Sequence, residues 1–545
     1  MHTPHFLGRL ILSGALISVA MDAYAQNKCE KPLKQPVKQT LVVTDPAVFV
    51  GDKFSLGRTL GAILKTAVTP GTAGPGPAAV DTQSERVALL ASLIRSFRVL
   101  DRTNPDSRVS MPMSDRPGEA ALEATDLLTP GHANEMRPIA LFNRLDLTPK
   151  GNRYCGEHRI VYAKKTAGPT DRFFLIFEAA LDNPDPQNSE AGCERVKQFW
   201  TGLEGKSTSD ITSQLENFYF EGELGDSKGK ITAVVHHQHY GVPFGQIRGN
   251  LFKLNGPVGG SPSNVWMLRE WRTSVGADGV AVFVQDTVKS NPHPDLYGVR
   301  GSSESQDFTD LRPEFQDNFV IDHVRELIEL ELIAQRESKP LSETELFAKM
   351  SARFENRFNT FESISQEDPA VPSHDPLARA QGTDLPMRID ADLKNFKLPA
   401  YAPLTNKHVL ARAGALSCAG CHQLSVGQEM APARDGQQFK WPATAGRFVH
   451  VKEDGTLSPA LEDHFLPSRC EPLFKPTPPA TIAGKEAQFL AAAYTKTREV
   501  LANVQRSGTR VERLRSLPDL EEQVQTARRQ DFRTPGAFIP FRRTH

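Results

Sequence analysis

The stretch from about residue 137 to residue 289 constrains the fold of this chain more than any other. It contains short segments rich in aromatic and β-branched residues, each bounded by Gly, Pro, Asn or Asp. The candidate strands are residues 159–163, 173–178, 231–235, 246–254, 265–271 and 280–284. Long helical patterns between them are scarce, so an antiparallel sheet or sandwich is favoured over a doubly wound fold.

Helical patterns flank this β-rich stretch. Residues 82–97 and 319–333 carry apolar side chains at steps of three and four residues. Two further helices are predicted, one over residues 342–358 from a Ser-x-x-Glu capping box and one over residues 406–416. The sequence therefore predicts an α+β fold, with a β-rich antiparallel central domain and a helical C-terminal module.

Shifts in pattern and Pro-rich breaks predict several segments in this chain of 545 residues. They are a signal peptide (1–25), a mixed N-terminal region (26–136), a β-rich domain (137–300), a helical connector (301–400) and a C-terminal helical module (401–545). With 39% hydrophobic and 24% charged residues, the chain can bury a large core. Its formal net charge of −1 gives no reason to expect a nucleic-acid partner.

The N-terminus has the three parts of a secretory signal. Arg9 supplies positive charge, residues 10–20 form an apolar core, and Ala23-Tyr24-Ala25 is an A-x-A cleavage site. The apolar run is too short to span a bilayer, and no later stretch is apolar enough for a span. We therefore expect a periplasmic or secreted protein, the alternative being that this run is a buried helix of the mature chain.

Two cysteines and a histidine carry the most specific chemistry in the sequence. Cys418, Cys421 and His422 form a C-x-x-C-H pattern. Thiols one helical turn apart can bond covalently to the two vinyl groups on one edge of a haem, and the adjacent imidazole can reach the iron. We expect haem c to be attached through Cys418 and Cys421, with His422 as the proximal iron ligand.

The motif resembles the haem-attachment site of c-type cytochromes, and the helical pattern before it resembles the start of many cytochrome c domains. Small mono-haem members place a methionine ligand several tens of residues after the motif, whereas the last methionine here, Met430, follows His422 by only eight residues. His450 and His464 are the downstream alternatives for the sixth iron ligand. A five-coordinate iron with an open face, which would favour small-molecule chemistry, is a third alternative.

The chain has six cysteines, all after the signal segment, and an oxidising compartment favours disulfides. The two motif cysteines could instead form a disulfide or a redox dithiol, or a zinc site with nearby histidines. We expect a disulfide between Cys155 and Cys193, because both flank one sheet-like segment. A Cys29–Cys470 disulfide follows by elimination.

Two further groups of residues are candidate sites. On a strand, His237 and His239 would share a face and could bind zinc or copper, although a solvent-facing or hydrogen-bonded strand end is the simpler interpretation. Charged residues in or beside the strands could act in acid–base chemistry or hold an anion, but alternation favours exposed strand faces or cross-strand pairs. These charged residues are Glu157, Arg159, Glu178, Arg248, Arg269 and Glu270.

Residues 143–146 (NRLD), 155–162 (CGEHRIVY) and 174–178 (FLIFE) resemble stretches of uncharacterised exported bacterial proteins that also carry a C-terminal C-x-x-C-H. That resemblance implies no activity. The function expected from the motif is electron transfer by a periplasmic haem c protein whose β-rich domain docks a partner or holds a substrate. The alternatives are a secreted, disulfide-stabilised binding or structural protein without a cofactor, and a haem-dependent oxidoreductase with an open iron site. The sequence indicates neither the redox partner nor the oligomeric state.

Overall fold

One large antiparallel sheet forms the centre of the fold in this computed structural model. The structure describes residues 42–67, 81–149, 152–165, 172–241, 245–252, 266–276, 280–299, 306–338, 341, 346–347, 350–364, 375–396, 398, 403–417, 420–434, 437–441 and 455–457. All of them belong to one compact unit of the chain. The signal peptide and the Cys29–Cys470 disulfide lie outside the described residues. They stay predictions, as do the segment boundaries.

The strands follow the chain in the order of their labels. They are β1 (Val42–Val43), β2 (Asp101–Thr103), β3 (Ser110–Pro112), β4 (Met136–Arg144), β5 (Tyr154–Lys164), β6 (Arg172–Asp182), β7 (Gln246–Phe252), β8 (Trp266–Val275), β9 (Ala281–Asp286), β10 (Glu362–Ile364), β11 (Glu429–Arg434) and β12 (Gln437–Lys440). The central sheet has the order β1-β4-β5-β6-β7-β8-β10, and β9 also pairs with β8. All its pairings are antiparallel, which confirms the predicted α+β class with a β-rich antiparallel centre.

Five of the six strands predicted in the β-rich stretch are present, and the one predicted over residues 231–235 is wrong. These residues form an irregular connection that leads into a 3-10 helix, His237–Tyr240. Val234 and Val235 are nevertheless buried, and the backbone N–H of Val235 donates to the carbonyl of Tyr219 at 2.8 Å. The β-branched pair therefore reflects burial in the core and not strand pairing.

The helices lie mainly before and after the sheet strands. They are α1 (Leu56–Thr66), α2 (Gln83–Arg95), α3 (Pro117–Ala120), α4 (Ala124–Leu128), α5 (Ser189–Thr201), α6 (Thr208–Glu221), α7 (Gln306–Asn318), α8 (Val324–Leu327), α9 (Glu329–Arg336), α10 (Pro376–Arg379), α11 (Leu385–Leu393) and α12 (Asn406–Ala415). Helices α2 and α12 lie where the sequence predicts them.

Two helix predictions need correction. The helix predicted over residues 319–333 is interrupted, because a π-helical turn, Phe319–His323, precedes the separate helices α8 and α9. The helix predicted over residues 342–358 is wrong from residue 350 onward. Residues 350–355 are not helical, and Asn356–Phe358 is a 3-10 turn.

Helices α1, α2 and α5 pack on one face of the central sheet, which we call the helix-covered face. Alternation along β5 points His158 and Tyr162 to this face. The Tyr162 hydroxyl lies 2.7 Å from the hydroxyl of Thr59 in α1, and the indole N–H of Trp200 in α5 donates to His158 Nδ1 at 3.1 Å. Helix α2 packs along β9. The polar atoms of Tyr162 and His158 therefore have partners within this layer, as burial requires.

The opposite face of the sheet carries buried charged side chains. Arg159 and Glu178 are directly opposed on β5 and β6, and Arg248 and Glu270 are opposed on β7 and β8. All four are at most 4% exposed. The predicted cross-strand pairing is confirmed, whereas the alternative of exposed strand faces is wrong.

These charged residues form one connected chain, which we call the Glu–Arg ladder. Arg159 contacts Glu157 at 2.9 Å and Glu178 at 3.1 Å. Arg248 contacts Glu178 at 3.4 Å and Glu270 at 2.9 Å. The ladder therefore joins four neighbouring strands by side-chain contacts in addition to the backbone hydrogen bonds.

A second core lies in the C-terminal half, where helices α7–α12 pack with the β11–β12 hairpin. Its aromatic centre includes Phe315, which lies 5.2 Å from Phe358 and 6.0 Å from Phe354 between ring centroids. The same apolar cluster includes Cys421 and Trp441. This core therefore includes Cys421 of the C-x-x-C-H motif.

The predicted disulfide between Cys155 and Cys193 is present and joins β5 to α5 across a sequence separation of 38 residues. Both cysteines are fully buried. Loop closure of this length stabilises the folded state by about 4 kcal/mol in the chain-entropy model. Replacing both cysteines by alanine should lower the free energy of unfolding by that order, measured by urea denaturation. A reducing agent should destabilise the native protein more than it destabilises the double variant.

His158 should make the fold sensitive to acid. Burial lowers its pKa to about 3. Its Nδ1 accepts from Trp200, and its Nε2 lies 3.1 Å from the carbonyl of Cys155, so the neutral ring satisfies both neighbours. The unfolded state, with a pKa of about 6.5, binds the proton more readily. Stability is therefore lost as the pH falls from about 6.5 toward 3.

A variant can separate this contribution from other titrations. In His158→Gln the amide can still accept from Trp200 and donate to the Cys155 carbonyl, but it cannot be protonated. Between pH 6.5 and pH 4.5, the native protein should lose about 2 kcal/mol more stability than the variant. Urea midpoints at the two pH values measure this difference. Equal losses in both proteins would show that His158 is not the sensitive group.

Candidate functional site

Helix α12 leads directly into the C-x-x-C-H motif. Its N-cap residue is Thr405, whose backbone N–H donates to the Nδ1 of His408 at 3.0 Å in a capping box. Residues 408–415 are all buried, so this helix runs through the core and has no solvent-facing side over that range. The chain is therefore held firmly up to the residue before the motif segment.

Helical hydrogen bonds are present on both sides of residues 418–419, in the part of the motif segment that the structure describes. The backbone N–H of Ser417 donates to the carbonyl of Gly414 at 3.0 Å, and that of Cys421 donates to the carbonyl of Ser417 at 2.9 Å. A π-helical turn, Gly420–Leu424, follows, closed by a bond from Ser425 to Gly420 at 2.9 Å. The bond from Cys421 to Ser417 spans four residues, as in a turn of α-helix.

Gly420 lies between the two motif cysteines because no side chain fits there. A Cβ atom at this position would lie 1.9 Å from the carbonyl oxygen of Gly414. Gly414 itself packs against the ring of Pro376 in α10, where a Cβ would be 3.1 Å from Cδ. The motif turn is thus seated directly on the end of α12.

The β11–β12 hairpin closes over Cys421. The indole N–H of Trp441, just after β12, donates to the carbonyl of Cys421 at 2.9 Å. The backbone of Trp441 is in turn bonded to Gly427 and Gln428, both at 2.9 Å. Cys421 is 5% exposed, and Trp441 packs on Phe347 with ring centroids 5.2 Å apart. Cys421 therefore lies inside an apolar core.

Arg412 in α12 connects the two sides of the motif segment. Its Nε donates to the carbonyl of Met430 in β11 at 2.8 Å, and one Nη1–H donates to the carbonyl of Leu327 in α8 at 2.8 Å. The guanidinium also pairs with both carboxylate oxygens of Glu331 in α9, Nη1 to Oε2 at 2.9 Å and Nη2 to Oε1. Arg412 is fully buried. A single side chain thus ties together four elements around the motif.

The sequence predictions did not include the Arg412–Glu331 pair. A signal for it exists, because Arg412 lies among Val409, Leu410, Ala411 and Ala413 in a helix that is otherwise apolar or small at these positions. A guanidinium in such a helix requires a buried acceptor. The acceptor could not be identified from the sequence, because Glu331 lies far away along the chain.

The predicted site residues are only partly covered by the described residues. Cys421 lies in the core as described above, and the backbone of His422 lies in the π-helical turn. Cys418, the side chain of His422, His450 and His464 lie outside what the structure describes. Their roles in binding haem stay predictions.

The histidines at residues 236–239 do not form the strand pair that the sequence suggested. His237 and His239 lie in the 3-10 helix His237–Tyr240. His239 is buried, with Nδ1 3.0 Å from the carbonyl of Val234 and Nε2 accepting from the backbone N–H of Asp182 at 3.5 Å. The hydrogen-bonded interpretation is therefore confirmed for His239. Within the part of the chain that the structure describes, no group of three or more His, Cys, Asp or Glu residues could hold a metal ion.

The Glu–Arg ladder is the other cluster of chemically active groups. Burial lowers the pKa of Arg159, although Glu178 and Glu157 oppose that effect. For Arg248 burial acts in the same direction, but Glu178 and Glu270 outweigh it and raise the pKa. An arginine side chain stays protonated in proteins, and both guanidinium groups bind carboxylates of the protein itself.

Comparisons with known proteins identify no family for this chain: no protein-family model, no curated protein and no solved structure matches it. Among the described residues, no helix has both the length and the hydrophobicity needed to cross a membrane.

The contact between Gly420 and Gly414 generates a prediction. Gly420→Ala should lower the free energy of unfolding by about 1–3 kcal/mol, because the new methyl group would overlap the Gly414 carbonyl and force the motif turn away from α12. Urea denaturation followed by Trp fluorescence measures the change. Gly57→Ala in α1 is the matched control, since its Cβ would meet only Arg86 Nη1 at 3.7 Å. That variant should be as stable as the native protein or slightly more so.

Proposed function

We propose that this protein is an exported haem c-binding protein that transfers electrons. Cys418 and Cys421 would form the thioether bonds, and His422 would be the proximal iron ligand. The observation that carries the proposal is the setting of Gly420 and Cys421, the part of the motif that the structure describes: they follow the end of a buried helix, and Cys421 lies in an apolar core. The described part of the site fits the group, because the macrocycle of a haem is apolar and the thiol of Cys421 belongs to that core.

The chain supplies the haem with shielding from water and a fixed attachment segment. Covalently bound haem iron would supply one-electron redox chemistry. Trp441 covers the backbone of Cys421, and Met430 and Phe439 on the hairpin are fully buried or nearly so. A low-polarity shell of this kind limits solvent access, which is one of the protein's means of setting a haem potential.

The proposal includes alternatives for the sixth iron ligand. His450 and His464 are the candidate sixth ligands, and a His–His site would have a lower potential than a His–Met site. Met430 is fully buried in β11. If the iron instead has an open face, the protein would belong to the haem-dependent oxidoreductases.

Export to the periplasm or out of the cell is part of the proposal. The A-x-A site at residues 23–25 predicts cleavage of a signal peptide after residue 25. The Cys155–Cys193 disulfide supports this location, because stable disulfides are typical of oxidising compartments. The same disulfide also favours the second candidate, a secreted binding protein that is stabilised by disulfides and has no cofactor. The β-rich domain would dock a partner protein or hold a substrate.

Covalent haem is the property to test. The full-length chain, expressed in bacteria that attach haem c and purified from the periplasm, should keep its haem after denaturation. The pyridine haemochrome spectrum and the intact mass measure this. Replacing Cys418 and Cys421 by alanine should abolish the covalent haem, whereas the Cys155→Ala/Cys193→Ala variant should retain it in any protein that survives purification. A colourless native protein of apo mass would exclude the haem proposal and leave the disulfide-stabilised binding protein.

A further inference from the structure

We propose that the buried Arg412–Glu331 pair positions the motif segment and sets the local charge felt by the haem iron. This inference rests on the proposed function, since it assigns a role to two residues of the same site. Neither residue belongs to the C-x-x-C-H pattern, so each would act through the segment that it holds.

The positioning role follows from the contacts of Arg412. The motif lies between α12 and β11, and Arg412 in α12 donates to the carbonyl of Met430 in β11 at 2.8 Å. The guanidinium therefore links the two ends, α12 and β11, of the loop that contains Cys421. Its bonds to Leu327 and Glu331 anchor this closure to α8 and α9, elements that are remote in sequence. A lysine could not reproduce it, because an ammonium lacks the planar fork that reaches a carboxylate and two carbonyls together.

The electrostatic role follows from burial. Arg412 is fully buried and the side chain of Glu331 is 2% exposed, so water screens neither charge effectively. The charges of Arg412 and Glu331 sum to zero. Removing one charge leaves the other uncompensated in the core next to the motif. A haem iron gains one positive charge on oxidation, so an uncompensated cation should favour the reduced state and an uncompensated anion the oxidised state.

Buried ion pairs of this kind are weak evidence for stability. Well-packed apolar residues of similar volume are often equally stabilising, because removing two charges from water is costly. A role in positioning or in setting a potential therefore accounts for the pair better than stability alone. The double variant Arg412→Gln/Glu331→Gln tests this distinction, since it keeps polar side chains and removes both charges.

The test is a redox titration of the full-length holoprotein. Glu331→Gln should raise the midpoint potential, Arg412→Gln should lower it, and the double variant should return close to the native value. Loss of packing alone would admit water in each variant and move all three potentials in the same direction, toward lower values. Opposite signs for the two single variants support the proposal. If Arg412→Gln does not fold, a raised midpoint potential in Glu331→Gln supports the proposal, and an unchanged or lowered potential overturns the proposal.

A second ion pair provides the matched control. Arg269 and Glu362 are paired at 3.0 Å where β8 meets β10, and Arg269 also donates to the carbonyls of Ser96 and Ser114. Glu362→Gln should destabilise the protein without shifting the midpoint potential. An equal shift in Glu362→Gln and Glu331→Gln would overturn the local role of Glu331. A native protein without haem would instead refute the proposed function, so the two failures are distinguishable.

Discussion

The Glu–Arg ladder is the constraint on which the arrangement of the central sheet depends. Glu178 on β6 contacts Arg159 on β5 and Arg248 on β7, and Arg248 contacts Glu270 on β8. A slip of one residue in any of these strands would turn its side chains to the opposite face. A charged member of the ladder would then enter the layer under the helices, where Tyr162 and Trp200 are packed. The ladder therefore specifies the register of the pairing more sharply than apolar residues could.

The two buried charge arrangements differ in what they hold. The ladder joins neighbouring strands that backbone hydrogen bonds already connect, so it specifies the sheet without being its main source of stability. Arg412 joins segments that share no sheet, because its guanidinium bonds link α12 and β11 to the consecutive helices α8 and α9. Loss of Arg412 would thus free the ends of the loop between α12 and β11, whereas loss of one ladder residue would leave the strands paired.

The sequence predicted most of the local structure and little of the long-range contacts. Short runs rich in aromatic and β-branched residues, bounded by turn-forming residues, identified β5 to β9 correctly. The same composition failed at residues 231–235, where Val234 and Val235 are buried without a strand partner. Exposure of the charged residues was misjudged, since alternation shows which side chains share a face but not whether that face is covered. Arg412 and Glu331 were missed because their pairing depends on tertiary packing.

The order of events at the motif follows from the burial of Cys421. Its thiol lies in an apolar core, and Trp441 closes over its carbonyl from the far side of the β11–β12 hairpin. On the proposed function, the thioether bond to Cys421 must form before this hairpin docks, because the closed core excludes the reactants. Both motif thiols must also stay reduced until then, in the compartment where Cys155 and Cys193 become oxidised. Cys155 and Cys193 pair within the sheet region, on β5 and α5. If the sheet region folds before the β11–β12 hairpin docks, Cys155 and Cys193 can be oxidised while Cys418 and Cys421 are still accessible to haem.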